Sequence, residues 1–279
     1  MYDEVENHND ASNIKNIIVK EMLGWFDVAS HITISSISDI NLPGTGLGSS
    51  SSFAVGLYKA LWQLYYPNEM LDPYYLAEDT CKVEITYCKF PIGKQDSFAA
   101  AFGGFNLFEF HSDEQVERLK IHVPNDFSDN FMLIHTGITR HSSNILTEQN
   151  KNNTSSNIKF NQAKKNRDLA YKGVEYLQDR KYEAFGMLLH ESWMNKKELN
   201  PLTSDSKIDE IYKRIMDAGA LGGKILGAGG GGFMIYYVPK DVRCHVEDTV
   251  KDLGLTITPF KFTSNGAQIV YSDEPYCTN

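Results

Sequence analysis

Apolar positions along this chain recur with two periods, and the changes of period mark out its elements. Between Asn13 and Phe26 the residues Ile14, Ile17, Ile18, Met22, Leu23 and Phe26 fall three or four apart, which predicts a helix with one apolar stripe. His31 to Ser35 alternates and is rich in β-branched residues, which predicts a strand. Phe53 to Trp62 returns to the helical period, and Pro67 closes it. Further helices are predicted from Pro73 to Tyr87, Ser97 to Phe102, Phe160 to Gln178, Lys181 to Trp193, Ile208 to Ala218 and Val242 to Leu253. Strands are predicted at Phe105–Phe110, Arg118–Val123, Asn130–His135, Phe233–Val238, Leu255–Phe262 and Ala267–Tyr271. Two glycine-rich stretches, 42–52 and 222–232, interrupt these runs. The polar patch from Asn150 to Asn157 predicts a surface loop and a domain junction. The pattern is that of an α+β protein with a domain over 1–148 and another over 149–279, each holding one glycine-rich loop.

Composition narrows the class without naming a function. The chain has 279 residues, 42% hydrophobic and 23% charged, which excludes collagen-like, coiled-coil and wholly disordered readings. The net charge of −9 disfavours a nucleic-acid surface or an anionic membrane as partner. A small anion remains compatible, because backbone N–H groups hold phosphate without net positive charge. There is no run of about 18 apolar residues and no signal-peptide pattern, so a cytoplasmic location is expected. Cys81, Cys88, Cys244 and Cys277 make no disulfide framework and no zinc spacing.

The first glycine-rich stretch, Leu42-Pro43-Gly44-Thr45-Gly46-Leu47-Gly48-Ser49-Ser50-Ser51-Ser52, runs straight into a helix. Backbone N–H groups at a helix N-terminus make an anion site, although a bland turn with a serine cap gives the same local string. The stretch is not a Walker A loop, since no Lys follows Gly48, and its Gly44-x-Gly46-x-Gly48 spacing does not fit a dinucleotide fingerprint. Downstream, Glu84 is either a solvated helix carboxylate or a metal ligand. Asp96 is either a helix cap or a general base. Lys94 is either a surface lysine or a cation beside the phosphates that lowers the Asp96 pKa. In the second stretch Gly229 to Gly232 are four consecutive glycines. Their entropic cost points to a close backbone approach rather than a simple turn.

Taken together, Pro43-x-x-x-Leu47-Gly48-Ser49-Ser50-Ser51 opening a helix, the Gly93-Lys94-Gln95-Asp96 segment and Gly227-Ala228-Gly229-Gly230-Gly231-Gly232 resemble the motifs of the GHMP small-molecule kinases. The resemblance implies a two-domain fold, with a ribosomal protein S5 domain 2-like N-terminal part and a ferredoxin-like C-terminal part. It implies ATP held by Pro43, Gly44, Gly46, Leu47, Gly48, Ser49, Ser50 and Ser51, Mg²⁺ on Ser50 and Glu84, and Asp96 with Lys94 as catalytic groups. The Gly93–Asn106 string and His135-Thr136-Gly137-Ile138-Thr139-Arg140-His141-Ser142-Ser143 further resemble the D-glycero-D-manno-heptose 7-phosphate kinases. Those enzymes phosphorylate the anomeric hydroxyl and supply GDP-heptose for surface polysaccharide. On that reading Thr139, Arg140, Gly229, Gly230 and Gly231 bind the phosphosugar, with Arg140 on its phosphate. A lone Arg140 reads equally as a surface arginine. A galactokinase- or fucokinase-like enzyme is the alternative within the class.

The resemblance also implies an N-terminal motif rich in Pro, Arg and Gly, which residues 1–41 do not match. The expectation is that Met1 falls partway into the first domain. This leaves an upstream start, an inactive remnant or a complementing second chain as readings.

Overall fold

A computed structural model describes residues 5–28, 31–40, 45–138 and 157–273, with side chains from 160 onward in the last stretch. The chain folds as two compact units, neither continuous in sequence. One comprises Met1–Pro43, Gly48–Gly104 and Thr263–Asn279. The other comprises Gly44–Leu47 and Phe105–Phe262. The expected junction at 148/149 lies outside the described residues. Among the described residues no helix is long and apolar enough to cross a membrane.

The first unit is helical among its described residues. Helix α1 (Ile17–Trp25) starts later than the apolar period suggests. The reason is local: the Asn16 side chain accepts hydrogen bonds from the N–H groups of Ile18 and Val19, capping the helix there. Helix α2 (Ser49–Tyr65) follows the first glycine loop, with Gly48 at its N-cap in the left-handed conformation. Helix α3 (Pro73–Lys82) is capped by Asp72 and has Pro at its first turn. It runs on through Val83–Tyr87 as a π-helical turn, with Cys88 N–H donating to Val83 O at 2.9 Å. Helix α4 (Gln95–Phe102) ends at Gly103. A Cβ on Gly103 would come within 2.1 Å of the Asn265 backbone, so glycine is required there by the close approach as well as by its φ of +60°. Met22, Val55, Tyr58, Leu61, Leu76 and Phe98 form the interior of this unit. Burial pushes the Cys81 thiol up to about 12.

Two expected strands are absent. Residues 31–40 pair with no strand among the described residues, and Ile37 is almost fully exposed. Residues 267–271 also make no ladder. Ala267 N–H bonds to Ala100 O on α4, while Val270 and Tyr271 face solvent. In both segments the β-branched composition suits a strand, but among the described residues no second strand pairs with either.

The second unit holds all the described strands. β1 (Phe105–Phe110) and β2 (Val116–Ile121) form an antiparallel hairpin with Phe105 opposite Ile121. β3 (Phe131–His135), β4 (Gly222–Ile225), β5 (Phe233–Tyr237) and β6 (Thr256–Thr258) form an antiparallel sheet in the order β4-β5-β3-β6. β4 was hidden in the sequence, because a strand with two glycines has no apolar alternation to read. Helices α5 (Asn157–Gln178), α6 (Tyr182–Leu199), α7 (Ser206–Asp217) and α8 (Arg243–Asp252) complete the unit. Alternate residues of β3 and β5, namely Met132, Ile134, Met234 and Tyr236, pack with Trp193, Ile208, Ile215 and Val246. The opposite residues Phe131 and Tyr237 pack with Phe127, Val174 and Leu177. Both faces of the central strands are therefore buried, which is why β5 reads as a continuous apolar run. Each such side chain contributes roughly 1.5–3 kcal/mol by leaving water. The expected mixed helix-and-sheet, two-domain architecture is the one the chain adopts.

Candidate active site

The first glycine loop turns through Gly46 (φ +73°) and Gly48 (φ +68°) into Ser49-Ser50-Ser51, the first turn of α2. The first bond of the helix runs from Ser52 N–H to Gly48 O at 2.9 Å. The N–H groups ahead of it have no intrahelical acceptor and lie at the positive end of the helix dipole.

Behind this turn stands Glu84. It is not a solvated helix carboxylate but a fully buried one. Its Oε1 accepts from Ser50 Oγ at 3.2 Å and from Ser51 Oγ at 3.1 Å, and its Oε2 accepts from Ser97 Oγ at 2.8 Å. Glu84 sits in the π-helical turn after α3, an irregularity that recurs at functional positions in helices. Burial raises its pKa against the opposing effect of the three hydroxyls, and the neighbouring charge of Asp96 adds to the rise. No cationic side chain pairs with it among the described residues. An all-oxygen donor set around an uncompensated buried carboxylate fits a hard divalent cation such as Mg²⁺.

Asp96, in the first turn of α4, flanks Gly48. A Cβ on Gly48 would meet the Asp96 Cγ and Oδ2 at 3.4 Å. Asp96 is open to solvent on one side, yet enough protein surrounds it that desolvation raises its pKa. The lowering expected from Lys94 is therefore not found. Lys94 Nζ lies 3.1 Å from Glu78 Oε1 in a half-buried ion pair that ties the start of α4 to α3.

The second glycine loop, between β4 and β5, is held by backbone on several sides. Gly230 N–H donates to Thr203 O at 2.7 Å and Gly232 N–H to Ile138 O at 2.8 Å. A Cβ on Gly229 would lie 2.5 Å from Thr203 Cγ2, one on Gly231 2.5 Å from Ile138 O, and one on Gly227 2.5 Å from Gly46 Cα. The close approach predicted from four successive glycines is thus real, and it includes backbone of the first loop. Thr45 O also accepts from Phe233 N–H at 3.1 Å.

The structure thus brings Gly48, Ser50, Ser51, Glu84 and Asp96 together in the first unit, and Gly46 with the second glycine loop in the other. Pro43, Gly44, Thr139 and Arg140 lie outside the described residues. Sequence reasoning missed Ser97, which had no signal beyond being next to Asp96. It also missed Lys196 and Lys224, whose ammonium groups lie beneath the second loop. Lys224 directly precedes that glycine motif, whereas nothing local marks Lys196.

Two family models match the chain. The GHMP kinases N terminal domain covers residues 12–104 and the GHMP kinases C terminal model covers 174–242. The chain is 30% identical over 229 residues to D-glycero-alpha-D-manno-heptose 7-phosphate kinase of Campylobacter jejuni, covering 81% of this chain and 67% of the relative. It is 25% identical over 232 residues to galactokinase of Pyrococcus furiosus, covering 74% of this chain and 64% of the relative. It therefore spans about two thirds of the length of these curated relatives. Among solved structures, a D-glycero-D-manno-heptose 1-phosphate kinase from Bacteroides thetaiotaomicron matches in fold, with a TM-score of 0.63 at 23% identity, covering 96% of this chain and 78% of the other. With both models matched in chain order, on the segments that carry the two glycine loops, the chain belongs to the GHMP kinase family.

Proposed function

We propose that this chain is an ATP-dependent sugar kinase that transfers the γ-phosphate to the anomeric hydroxyl of D-glycero-D-manno-heptose 7-phosphate, in the supply of activated heptose for surface polysaccharide. The observation that carries the phosphotransfer reading is the buried Glu84 carboxylate, held by three serine hydroxyls behind the N-terminal turn of α2, with Asp96 against Gly48. The substrate assignment is supported by the likeness to the Campylobacter enzyme and by the Gly93–Asn106 string.

In this mechanism the N–H groups of Gly46 to Ser50 hold the ATP phosphates and offset the charge that develops on them. Ser50 and Glu84 would hold Mg²⁺, which when bound neutralises β- and γ-phosphate oxygens. Asp96 orients the sugar hydroxyl and accepts its proton. Burial holds this carboxyl above its ordinary value, which makes it the stronger base for the step. Lys94 acts through its pair with Glu78, fixing the start of α4 and so the Asp96 carboxylate. Thr139 and Arg140 are assigned to the acceptor's phosphate, with Gly229, Gly230 and Gly231 along the sugar.

The test is a coupled phosphotransfer assay on the full chain with ATP and Mg²⁺. Its acceptor panel is heptose 7-phosphate, the unphosphorylated heptose, galactose and fucose. Turnover with heptose 7-phosphate alone supports the full proposal. Turnover with an unphosphorylated sugar moves the assignment to a galactokinase- or fucokinase-like enzyme. ATP binding without transfer to any acceptor overturns the kinase reading.

A further inference from the structure

Two lysines that the reaction above does not use lie beneath the second glycine loop. Helix α6 sits so close on β4 that a Cβ on Gly222 would meet Gly186 O at 2.1 Å and His190 N at 3.0 Å. That contact brings the Ser192–Lys196 turn of α6 alongside Lys224 of β4. Lys224 Nζ donates to Ser192 Oγ at 3.4 Å. Lys196 Nζ donates to Gly227 O at 2.5 Å and to Ile225 O at 3.4 Å. Every one of these partners is a neutral oxygen. Among the described residues neither ammonium pairs with a carboxylate, although the chain carries nine more acidic than basic side chains.

Two neighbouring ammonium groups in a poorly solvated place repel, and each disfavours the charge of the other. Burial, and then the charge of Lys224, brings the Lys196 pKa down to about 7, and burial lowers that of Lys224 as well. If the pair only anchored the loop, one lysine would suffice: Lys196 alone reaches both loop carbonyls, and Lys224 reaches neither. What the second cation adds is charge. A pair of compact cations with spare N–H donors suits a ligand with two negative charges and several acceptor oxygens. Lys196 also lies one residue from Gly46 of the first glycine loop, since it donates to the carbonyl of Gly227 and Gly227 packs on Gly46.

We propose that Lys196 and Lys224 form a binding site for a phosphoryl group, supplied by the phosphorylated acceptor or by the nucleotide. Only the choice of ligand rests on the kinase reading. The charge arrangement does not.

Isothermal titration of the full chain with inorganic phosphate, heptose 7-phosphate, unphosphorylated heptose and ADP tests the site directly. Lys196→Met and Lys224→Met should each weaken phosphate binding by about tenfold or more, with Lys224→Arg retaining most of it. Loss confined to heptose 7-phosphate identifies the acceptor as the source, and loss confined to ADP identifies the nucleotide. Unchanged affinity for all ligands in both methionine variants overturns the proposal and leaves the lysines as loop anchors. If a methionine variant does not fold, the wild-type chain still decides. Phosphate should slow reductive methylation of Lys196 and Lys224, read by peptide mass spectrometry, and equal labelling with and without phosphate overturns the site. Protection at the lysines in a chain that transfers no phosphate keeps this site and removes the kinase reading. Turnover on heptose 7-phosphate with undiminished binding in the lysine variants does the reverse.

Discussion

The first glycine loop opens onto carboxylates and hydroxyls, and the second rests on ammonium groups. Around the first, Glu84 and Asp96 both have raised pKa values, because burial opposes their negative charge and, among the described residues, no cation nearby relieves it. Beneath the second, Lys196 and Lys224 both have lowered values, because burial opposes their positive charge and, among the described residues, no carboxylate relieves it. A structural ion-pair network shows the opposite behaviour, with each partner stabilising the charged form of the other. Uncompensated charge of one sign at each loop is what a site for a ligand of the other sign looks like before the ligand arrives. On the proposed reading the carboxylates would take a metal cation, and the lysines a phosphoryl group.

The largest expected effect separates the loops by chemistry. Asp96→Asn keeps size and hydrogen-bonding capacity but removes the base. Its kcat for phosphotransfer should fall by about 10²–10⁴-fold while the KM for ATP changes little. Steady-state kinetics with ATP and the acceptor varied in turn check this. An unchanged kcat would take Asp96 out of the chemistry and leave it as a helix-start residue.

The next effect concerns how the loops are built. Gly46→Ala places a Cβ 2.6 Å from Leu226 O, at a φ of +73°. Backbone cannot yield there as a flexible side chain would, so the cost should be about 1–3 kcal/mol of unfolding free energy. Gly48→Ala has the same kind of φ, +68°, but its nearest contact is the Asp96 carboxylate at 3.4 Å. Its cost should be nearer the conformational penalty alone, about 1–2 kcal/mol. It should slow turnover more than it lowers stability, because it crowds the proposed base. Urea midpoints beside kcat values distinguish the two, and equal losses of both kinds at both positions would erase the contrast.

The charges themselves predict pH slopes of opposite sign. For Glu84 the folded pKa lies above the ordinary 4.5, so the native state holds its proton more tightly than the unfolded chain. Its contribution to stability is full below 4.5 and is lost as pH rises through the folded value. For Lys196 the native pKa is about 7 against an ordinary 10.5, so the unfolded chain binds more protons between these values. Stability from this group therefore increases as pH rises from about 7 to 10.5. Melting temperatures across pH should show Glu84→Gln flattening the acidic-side decline and Lys196→Met flattening the alkaline-side rise. Mg²⁺ should restore stability to the wild type on the first slope and not to Glu84→Gln.

What was legible in the sequence follows the same division. The helices were readable because their apolar stripes are local, and β3 and β5 because both of their faces are buried. The strands expected at 31–35 and 267–271 failed because pairing is a property of two segments, and composition reports only one. The reverse error hid β4, whose Gly222 and Gly223 are there for the approach of α6 and of Tyr236. Within the site, Glu84 and Asp96 could be picked out by their position between motifs. The burial of Glu84 could not, since it depends on a π-helical turn and on Ser97 reaching back across thirteen residues. Lys196 was invisible for the same reason. Its significance comes from α6 lying on β4, and no local pattern encodes that contact.

The smallest effect tests whether glycine matters by position or by number. Gly56 lies in the middle of α2, on its exposed side, with no atom within 4 Å of where a Cβ would stand. It follows the first loop by only eight residues, yet nothing about its φ or its surroundings calls for glycine. Gly56→Ala should therefore stabilise the chain by about 0.5–1 kcal/mol, through the lower entropy of the unfolded state and the better helix propensity of alanine. Because α2 presents the N–H groups proposed to hold phosphate, a firmer helix should leave the KM for ATP unchanged or slightly lower. Chemical denaturation gives the stability and initial-rate kinetics the KM. A loss of stability comparable to that of Gly46→Ala would mean that α2 is packed more tightly at Gly56 than its open surroundings imply, and that the glycine requirement extends beyond the loop into the helix it caps.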